Sequence, residues 1–234
     1  MTAAPVRRSA MYRLQLAQNA RFKDEAGWRI AEAYTSADGE VEAARRGVGL
    51  HDASPCGKLG IRGGDVEALA AGLTGGPPPA VGMSAREQLG GGAVLLCRLA
   101  ADELLVLTGP ADFATVEDAV TKAAEKVGCA HPTDLTSAFA AMDLVGPRVG
   151  ALLERLLPLD CSEAALPPLA VTQGELAHVH AIVLRLGERL PEFRVLVGRE
   201  YGEFVWRSLA AAGGDLGLAP IGATARARLA GEGG

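Results

Sequence analysis

The strongest constraint in this sequence is an internal duplication, in which two kinds of segment recur in the same order. KLGIRGGDVEALAAGL (Lys58–Leu73) is similar to AAMDLVGPRVGALLERLL (Ala140–Leu157). ELLVLTGPADFATVEDAV (Glu103–Val120) is similar to EFRVLVGREYGEFVWRSL (Glu192–Leu209). Each segment has the pattern of a strand, a glycine-containing turn and a helix with apolar residues at helical spacing. The chain is therefore predicted to contain two related halves, each made of strands and helices.

Short turns between neighbouring strands favour mostly antiparallel sheets. Ala93–Leu99 and Glu103–Leu107, for example, are separated by only a few residues, and parallel strands need a much longer connection. The predicted fold class is α+β, with helices on one face of the sheets and a cleft where the two halves meet. The helix of the segment Glu192–Leu209 is predicted to bury one apolar face, made of Tyr201, Phe204, Val205 and Leu209.

Composition excludes little beyond two classes of partner. The formal charge of −5 gives no electrostatic case for nucleic acid. No apolar run approaches the roughly 20 residues that span a bilayer, so no membrane partner is predicted. The first residues are basic and lack the apolar region of a secretory signal. We expect a solvated, partly frayed leader and a cytoplasmic protein; the basic residues are Arg7, Arg8, Arg13, Arg21 and Lys23.

A glycine-rich stretch, LGGGAVLLCRL (Leu89–Leu99), raises the question of a phosphate site. A phosphate-binding loop needs a helix N-terminus directly after it, whereas a strand-like run follows here. The glycines are therefore predicted to begin a hairpin strand. From Gln88 to Ala101 there is no aspartate or glutamate, so this stretch supplies no acid or base.

No metal site is predicted. The cysteines Cys56, Cys97, Cys129 and Cys161 form no CxxC pair and are expected to be small buried residues. His178 and His180 lie two apart on a predicted strand, which puts both on one face. A metal pair is one interpretation, and two half-buried strand histidines are the one we favour.

Two further groups of polar residues leave alternatives open. His51 and Asp52 could form a local acid–base pair, but capping by Asp52 and Ser54 is favoured because neighbouring strand residues point to opposite faces. The charged turn LGERLPEF (Leu186–Phe193) is either a solvated hairpin tip or part of the cleft.

Several motifs in order resemble a known family. GWRIAEAY and EAARRGVGLHDASPCGKLGIRG, followed by FRVLVGREYGEFVWRSLAAAG and GLAPIGATARARL, resemble the aminomethyltransferase (glycine cleavage T-protein) superfamily over Gly27 to Leu229. The segment that begins DLTSAFAAMDLVGPR resembles one branch, the gamma subunit of heterotetrameric sarcosine oxidase. The resemblance implies a folate-binding-type domain over 27–229, with halves of about 27–130 and 131–229. Residues 1–26 would be a leader and 230–234 a disordered tail, and the family's C-terminal barrel domain is expected to be absent.

The resemblance also locates a candidate site. The family's catalytic aspartate, in a G-G-x-x-D-D segment, falls on the acid-free GGGAVLLCRL, so no catalytic residue is assigned. Its pteridine-holding glutamate falls on LGERLPEF, where Leu190 replaces it and a neighbouring glutamate could take its place. The folate-pocket candidates are Glu188, Arg189, Glu192 and Arg226, with tetrahydrofolate as a possible cofactor. Trp28 and Trp206 are candidates for a protein interface.

Two functions follow from this resemblance. The first is a non-catalytic subunit or accessory of an amine-oxidising, sarcosine oxidase-like one-carbon assembly, with flavoprotein amine oxidase subunits as partners. The second is a minimal tetrahydrofolate-dependent aminomethyl- or methyltransferase that uses a relocated acid, Glu188 or Glu192. A folate-sensing repair factor is a weaker third interpretation, because the K-G-C-Y-x-G-Q-E motif of that branch is missing.

Overall fold

A computed structural model describes residues 6–187 and 189–231 of the chain. Within them the fold is α+β, as predicted. The helices are α1 (Tyr12–Ala17), α2 (Ala37–Arg46), α3 (Val66–Thr74), α4 (Phe113–Ala124), α5 (Val149–Leu153), α6 (Gly202–Ala212) and α7 (Ala223–Gly231). The strands are β1 (Arg21–Glu25), β2 (Trp28–Ala33), β3 (Val48–Asp52), β4 (Gly57–Arg62), β5 (Ser84–Leu89), β6 (Gly92–Ala100), β7 (Glu103–Thr108), β8 (His131–Asp134), β9 (Phe139–Val145), β10 (Val171–Leu176), β11 (Val179–Gly187), β12 (Glu192–Gly198) and β13 (Leu218–Pro220). None of these helices is both long and apolar enough to cross a bilayer.

The chain divides into two compact units that interrupt each other along the sequence. Unit 1 comprises Met1–Ser54, Phe139–Pro168 and Gln173–Gly234, and unit 2 comprises Pro55–Ala138 and Leu169–Thr172. These units differ from the predicted halves of about 27–130 and 131–229. The difference arises because the N-terminal part of the chain contributes its strand β3 to the sheet of the second half.

The predicted duplication is visible in the strand order of the two larger sheets. One sheet has the order β5-β6-β7-β4-β8 and the other has the order β10-β11-β12-β9-β3-β13. The first four strands of each sheet correspond in sequence and in order. The pairs β5–β6, β6–β7 and β7–β4 are antiparallel, and so are the pairs β11–β12 and β12–β9. The fifth strands are exchanged: β3 precedes β4 in sequence but pairs with β9, and β8 precedes β9 but pairs with β4. The pairing of β13 with β3 is parallel.

The core of unit 2 is aliphatic and lies between its sheet and the helices α3 and α4. The helix α4 contributes Val116, Val120 and Ala124 to this core, a spacing of four residues that keeps them on one face. Alternate residues of β4, Leu59 and Ile61, face the same cluster from the sheet. This part of the chain therefore follows the periodicity from which it was predicted.

The glycine-rich stretch forms a hairpin turn, as predicted. Leu89 pairs with Gly92 across β5 and β6, and the two residues between them have positive φ, +57° at Gly90 and +84° at Gly91. Two consecutive positive φ values are typical of the tight turn that matches strand twist. A Cβ added to Gly90 would also lie 2.5 Å from the carbonyl oxygen of Thr115, so glycine is required there.

The prediction of a frayed leader over residues 1–26 is wrong for the part that the structure describes. Residues 12–17 form α1, and β1 pairs with β2. Met11 is fully buried, and the buried Gln15 donates from Nε2 to an Asp52 carboxylate oxygen at 2.6 Å. Burial of Met11 and this hydrogen bond hold the segment in place. Of the predicted tail 230–234, the first two residues belong to α7, and residues 232–234 lie outside the described residues.

Candidate functional site

The structure brings together two of the four folate-pocket candidates. Glu192 at the start of β12 accepts a hydrogen bond from Nη2 of Arg226 on α7. Arg189 is exposed on the turn before β12, and Glu188 lies outside the described residues. Leu190, which stands at the family's glutamate position, packs against an apolar cluster of unit 1.

Glu192 and Arg226 belong to a larger ionic network built around Asp143. Arg194 donates two hydrogen bonds to the Asp143 carboxylate, from Nε at 2.7 Å and from Nη2 at 2.9 Å. Arg226 donates to the same carboxylate from Nε at 3.1 Å. Asp143 and Arg194 face each other on the paired strands β9 and β12. The network holds two carboxylates and two guanidiniums, so its charges balance.

Sequence reasoning missed Asp143 and Arg194. The available signal was a single carboxylate inside the apolar run AAMDLVG, and a single arginine inside FRVLV at the corresponding point of the neighbouring strand. A charge in the middle of a buried strand requires an opposite charge nearby. Reading the two strands as a pair would have found both residues.

Electrostatics favour the charged states of Asp143 and Arg226. Burial raises the pKa of Asp143, but the guanidiniums of Arg194 and Arg226 outweigh it and hold that pKa well below its usual range. Burial also works against the charge of Arg226, yet Asp143 and Glu192 raise its pKa above the ordinary value. The network is thus a closed set of ion pairs rather than a carboxylate poised for proton transfer.

The N-terminus of α7, and with it Arg226, is fixed by a carboxylate outside the network, that of Glu40. Glu40 on α2 is 2% exposed. Its Oε1 accepts from the backbone N–H groups of Tyr34 and Thr35 at 2.6 and 2.7 Å, and its Oε2 accepts from that of Gly222 at 2.7 Å. Charge-assisted bonds of this kind are among the stronger ones in proteins. They tie the segment that precedes α7 to the loop after β2.

His51 lies beside the network rather than in an acid–base pair. It faces Asp143 across β3 and β9, and its Nδ1 is 3.2 Å from the carbonyl oxygen of Ile221. Burial lowers the pKa of His51, although Asp143 and Asp52 act in the opposite direction. The Asp52 carboxylate accepts the backbone N–H of Ser54 at 3.0 Å, which confirms the predicted capping.

The lowered pKa of His51 predicts a pH dependence of stability. The unfolded chain takes up a proton near pH 6.5 that the folded chain resists, so the free energy of unfolding falls as the pH drops below about 6.5. This one group contributes at most about 1.4 kcal/mol per pH unit. Urea unfolding measured at several pH values between 7.5 and 5.5 gives the slope of the unfolding free energy against pH. This slope should be smaller for His51→Asn than for the wild type. The exposed His178→Asn control should keep the wild-type slope.

One donor of the network is left over. Nη1 of Arg226 is buried and has no hydrogen-bond partner within the described part of the chain. The Arg226 side chain is 15% exposed. A small acceptor could therefore bind at this nitrogen, while Nε and Nη2 of Arg226 are bound to Asp143 and Glu192.

A carboxylate does lie beside the acid-free hairpin of unit 2. Asp112, which precedes α4, is so close to Gly92 that a Cβ added to that glycine would be 2.7 Å from the Asp112 Cβ. The Asp112 side chain is partly exposed and does not cap its helix. An acid from another segment therefore reaches the place where the matching stretch has none.

The structure contradicts the assignment of the tryptophans to an interface. Trp28 on β2 is 2% exposed and Trp206 on α6 is 1% exposed, so neither ring is available to a partner. For Trp206 the reason is the orientation of α6, which buries Val205, Trp206 and Leu209. The apolar face predicted for this helix is therefore wrong in part: Tyr201 and Phe204, assigned to it, are 45% and 50% exposed.

The predictions for the cysteines and histidines are confirmed only in part. Cys97 and Cys161 are buried as expected, whereas Cys129 is exposed and Cys56 is intermediate. His178 lies in the turn between β10 and β11 instead of on a strand. Among the residues that the structure describes, no three histidine, cysteine or carboxylate side chains come together as a metal-binding group would require.

Comparison with known proteins places the chain in a family. The family model described as the GCVT N-terminal domain matches residues 11–234. The chain belongs to the GCVT N-terminal domain family. Membership confirms the resemblance to aminomethyltransferases drawn from the ordered motifs.

Curated relatives of this GCVT domain are named aminomethyltransferase. The one from Moorella thermoacetica is 28% identical over 239 residues, covering 97% of this chain and 63% of that protein. The one from Streptomyces coelicolor is 29% identical over 240 residues, covering 98% and 63%. The chain thus spans less than two thirds of the length of these relatives.

Solved structures confirm the fold of this GCVT domain. Glycine cleavage system aminomethyltransferase T from Bartonella henselae superposes with a TM-score of 0.80 at 19% identity, covering 94% of this chain and 61% of that one. A chain of heterotetrameric sarcosine oxidase from Corynebacterium sp. U-96 superposes with a TM-score of 0.67 at 23% identity, covering 92% and 98%. At these identities the likeness is one of fold.

Proposed function

We propose that this chain is a non-catalytic subunit or accessory of an amine-oxidising, sarcosine oxidase-like one-carbon assembly. The observation that carries the proposal is the hairpin at Gly90 and Gly91. By the resemblance, this stretch corresponds to the family's catalytic segment. It contains two glycines in a tight turn and no carboxylate. The likeness to a chain of heterotetrameric sarcosine oxidase, over 98% of that chain, supports a role as a subunit.

Tetrahydrofolate is the cofactor that the resemblance implies, and the residues present fit it poorly. Glu192 would have to accept hydrogen bonds from the pteridine ring, but it is already paired with Arg226. Arg226 is in turn bound to Asp143, with only Nη1 left over. A folate would have to break a balanced, buried ion-pair network, and breaking one side of such a network is costly.

Calorimetry with a reduced folate checks this fit. We expect no binding heat at micromolar concentrations, because Glu192 and Arg226 satisfy each other. Binding of micromolar strength that disappears in Glu192→Ala would favour a folate-dependent enzyme. Glu203→Ala, a change on the exposed side of α6, is the control for a non-specific effect.

The alternative is a minimal tetrahydrofolate-dependent aminomethyl- or methyltransferase, and Asp112 is the observation that favours it. This carboxylate lies next to Gly92 and could serve as a relocated acid. It lies at the N-terminus of α4, where the helix dipole stabilises a negative charge. Under this alternative, transfer to tetrahydrofolate should depend on Asp112.

Isolation of the chain from its native host at its native level tests the proposed assembly. We expect it to elute from a size-exclusion column with flavin absorbance and with sarcosine-dependent oxygen consumption. A chain that elutes at the mass of one or two copies, free of flavin and of that oxidation, would contradict the proposal.

A further inference from the structure

A groove of about 500 Å³ lies in unit 1 where α6 meets the turn between β10 and β11. Leu156, Leu157 and Pro158, which follow α5, form part of its apolar lining. The ring of Phe204 on α6 completes that lining and is half exposed. Neither the ionic network nor the glycine hairpin uses this groove.

The duplicated junction in unit 2 shows what this region looks like when it is closed. There the β5–β6 turn packs directly on α4. A Cβ added to Gly90 would lie 2.5 Å from the Thr115 carbonyl oxygen and 3.3 Å from the Ala119 Cβ. The missing side chain of Gly90 and the small one of Ala119 therefore let the hairpin approach the helix.

Unit 1 has a larger residue at each of the equivalent positions. Ala177 corresponds to Gly90 in the turn, and Phe204 and Ser208 correspond to Thr115 and Ala119 on the helix. Because Ala177 carries a Cβ, it cannot approach its helix as closely as Gly90 does. All three residues line the groove. The groove thus lies where the second copy carries larger residues than the first.

The turn that borders the groove keeps side chains where glycine would be easier. Ala177 and His178 have φ values of +49° and +67°, in the left-handed region that disfavours residues with a Cβ. Such strain persists where the surrounding structure holds it and is typical of functional segments. Both residues line the groove.

The groove carries unbalanced negative charge. Glu154 and Glu175 are exposed at its rim and make no ion pair or hydrogen bond through their side chains with other described residues. The cation in the lining, Arg155, is held by Asp215 through two hydrogen bonds of 2.6 and 2.8 Å. Two free carboxylates therefore border an exposed aromatic ring and an apolar floor.

We propose that this groove docks a segment of a partner flavoprotein subunit in which a lysine or arginine lies next to an apolar side chain. This inference rests on the proposed function as a subunit of an amine-oxidising assembly. The cation meets Glu154 and Glu175, and the apolar side chain covers Phe204. Aromatic anchors in desolvated pockets carry much of the affinity of protein interfaces, and a cation over a ring adds to it.

Site-specific photo-crosslinking in the native host tests the groove. The photoreactive residue p-benzoylphenylalanine replaces Phe204 in one chain and Leu16, a similarly exposed residue elsewhere in unit 1, in another. We expect an adduct from position 204 with a flavoprotein subunit, whose crosslinked peptide contains a basic residue beside an apolar one. Charge reversal by Glu154→Arg and Glu175→Arg together should lower that yield at least tenfold. Urea unfolding should show the same midpoint for this variant as for the wild type, because both carboxylates are exposed and unpaired.

The outcomes separate the groove from the proposed function. If the flavoprotein co-elutes but position 204 gives no more adduct than position 16, or a yield that charge reversal does not change, the groove inference is wrong and the assembly stands. An adduct to a second copy of this chain overturns the groove inference in the same way. If no flavoprotein co-elutes, the proposed function fails and the inference fails with it.

Discussion

Replacing Asp143 by alanine should cost about 3–5 kcal/mol of the free energy of unfolding, the loss expected when one partner of a buried ion pair is removed. The Asp143 side chain is 2% exposed and accepts hydrogen bonds from Arg194 and Arg226. Without it, two largely buried guanidiniums lose their shared counter-ion. Urea unfolding at pH 7.5 measures the effect.

Asp215→Ala is the matched control, because Asp215 also accepts two hydrogen bonds from one arginine, Arg155, but is 67% exposed. Exposed ion pairs contribute little, so its midpoint should stay close to that of the wild type. A double variant, Asp143→Leu with Arg194→Leu, should recover part of the loss by removing both charges. Equal midpoints for Asp143→Ala and Asp215→Ala would show that the network is not a stabilising feature.

A second large effect is expected at the glycine that follows β9. Gly146 has a φ of +142°, and a Cβ added to it would lie 2.3 Å from the Gly47 carbonyl oxygen. Gly146→Ala should therefore cost about 3 kcal/mol or more, through backbone strain and steric clash. Gly150→Ala on the neighbouring α5 has open space at its Cβ and should be neutral or slightly stabilising. Thermal unfolding measures the melting temperatures of both variants, and only that of Gly146→Ala should fall well below the wild-type value.

The duplication extends this expectation to unit 2. Gly63 follows β4 as Gly146 follows β9, with a φ of +148° and an added Cβ 2.0 Å from the Cys129 carbonyl oxygen. Gly63→Ala should lower the melting temperature as Gly146→Ala does, whereas Gly64→Ala, with open space at its Cβ, should not. If Gly63→Ala were tolerated, the two turns would not be equivalent.

Much of the fold could be predicted from local sequence patterns. The repeated strand–turn–helix segments and the glycine hairpin depend on residues close together in the chain, and these predictions are confirmed. The exchange of β3 and β8 could not be predicted in the same way. Each of these strands precedes a similar strand, β4 or β9, and the choice of partner depends on packing between distant residues.

The candidate site was predictable only where a resemblance pointed to it. Glu192 and Arg226 were found by matching motifs. Asp143 and Arg194 lie within segments that carry the resemblance, but their ion pair is recognised only once β9 and β12 are paired. For α6 the predicted apolar face included Phe204, but the helix buries the large ring of Trp206 instead. Phe204 was left exposed as a result, on the wall of the groove.

Aminomethyl transfer to tetrahydrofolate by the purified chain is the measurement that bears most directly on whether this chain is an enzyme. The aminomethyltransferase of Moorella thermoacetica, a relative at 28% identity, provides the positive control. We expect no turnover above the protein-free baseline, and the same result for Asp112→Asn, because the matching hairpin lacks a catalytic carboxylate. Turnover by the wild type that is lost in Asp112→Asn would contradict a non-catalytic role and identify the acid beside Gly92 as its replacement.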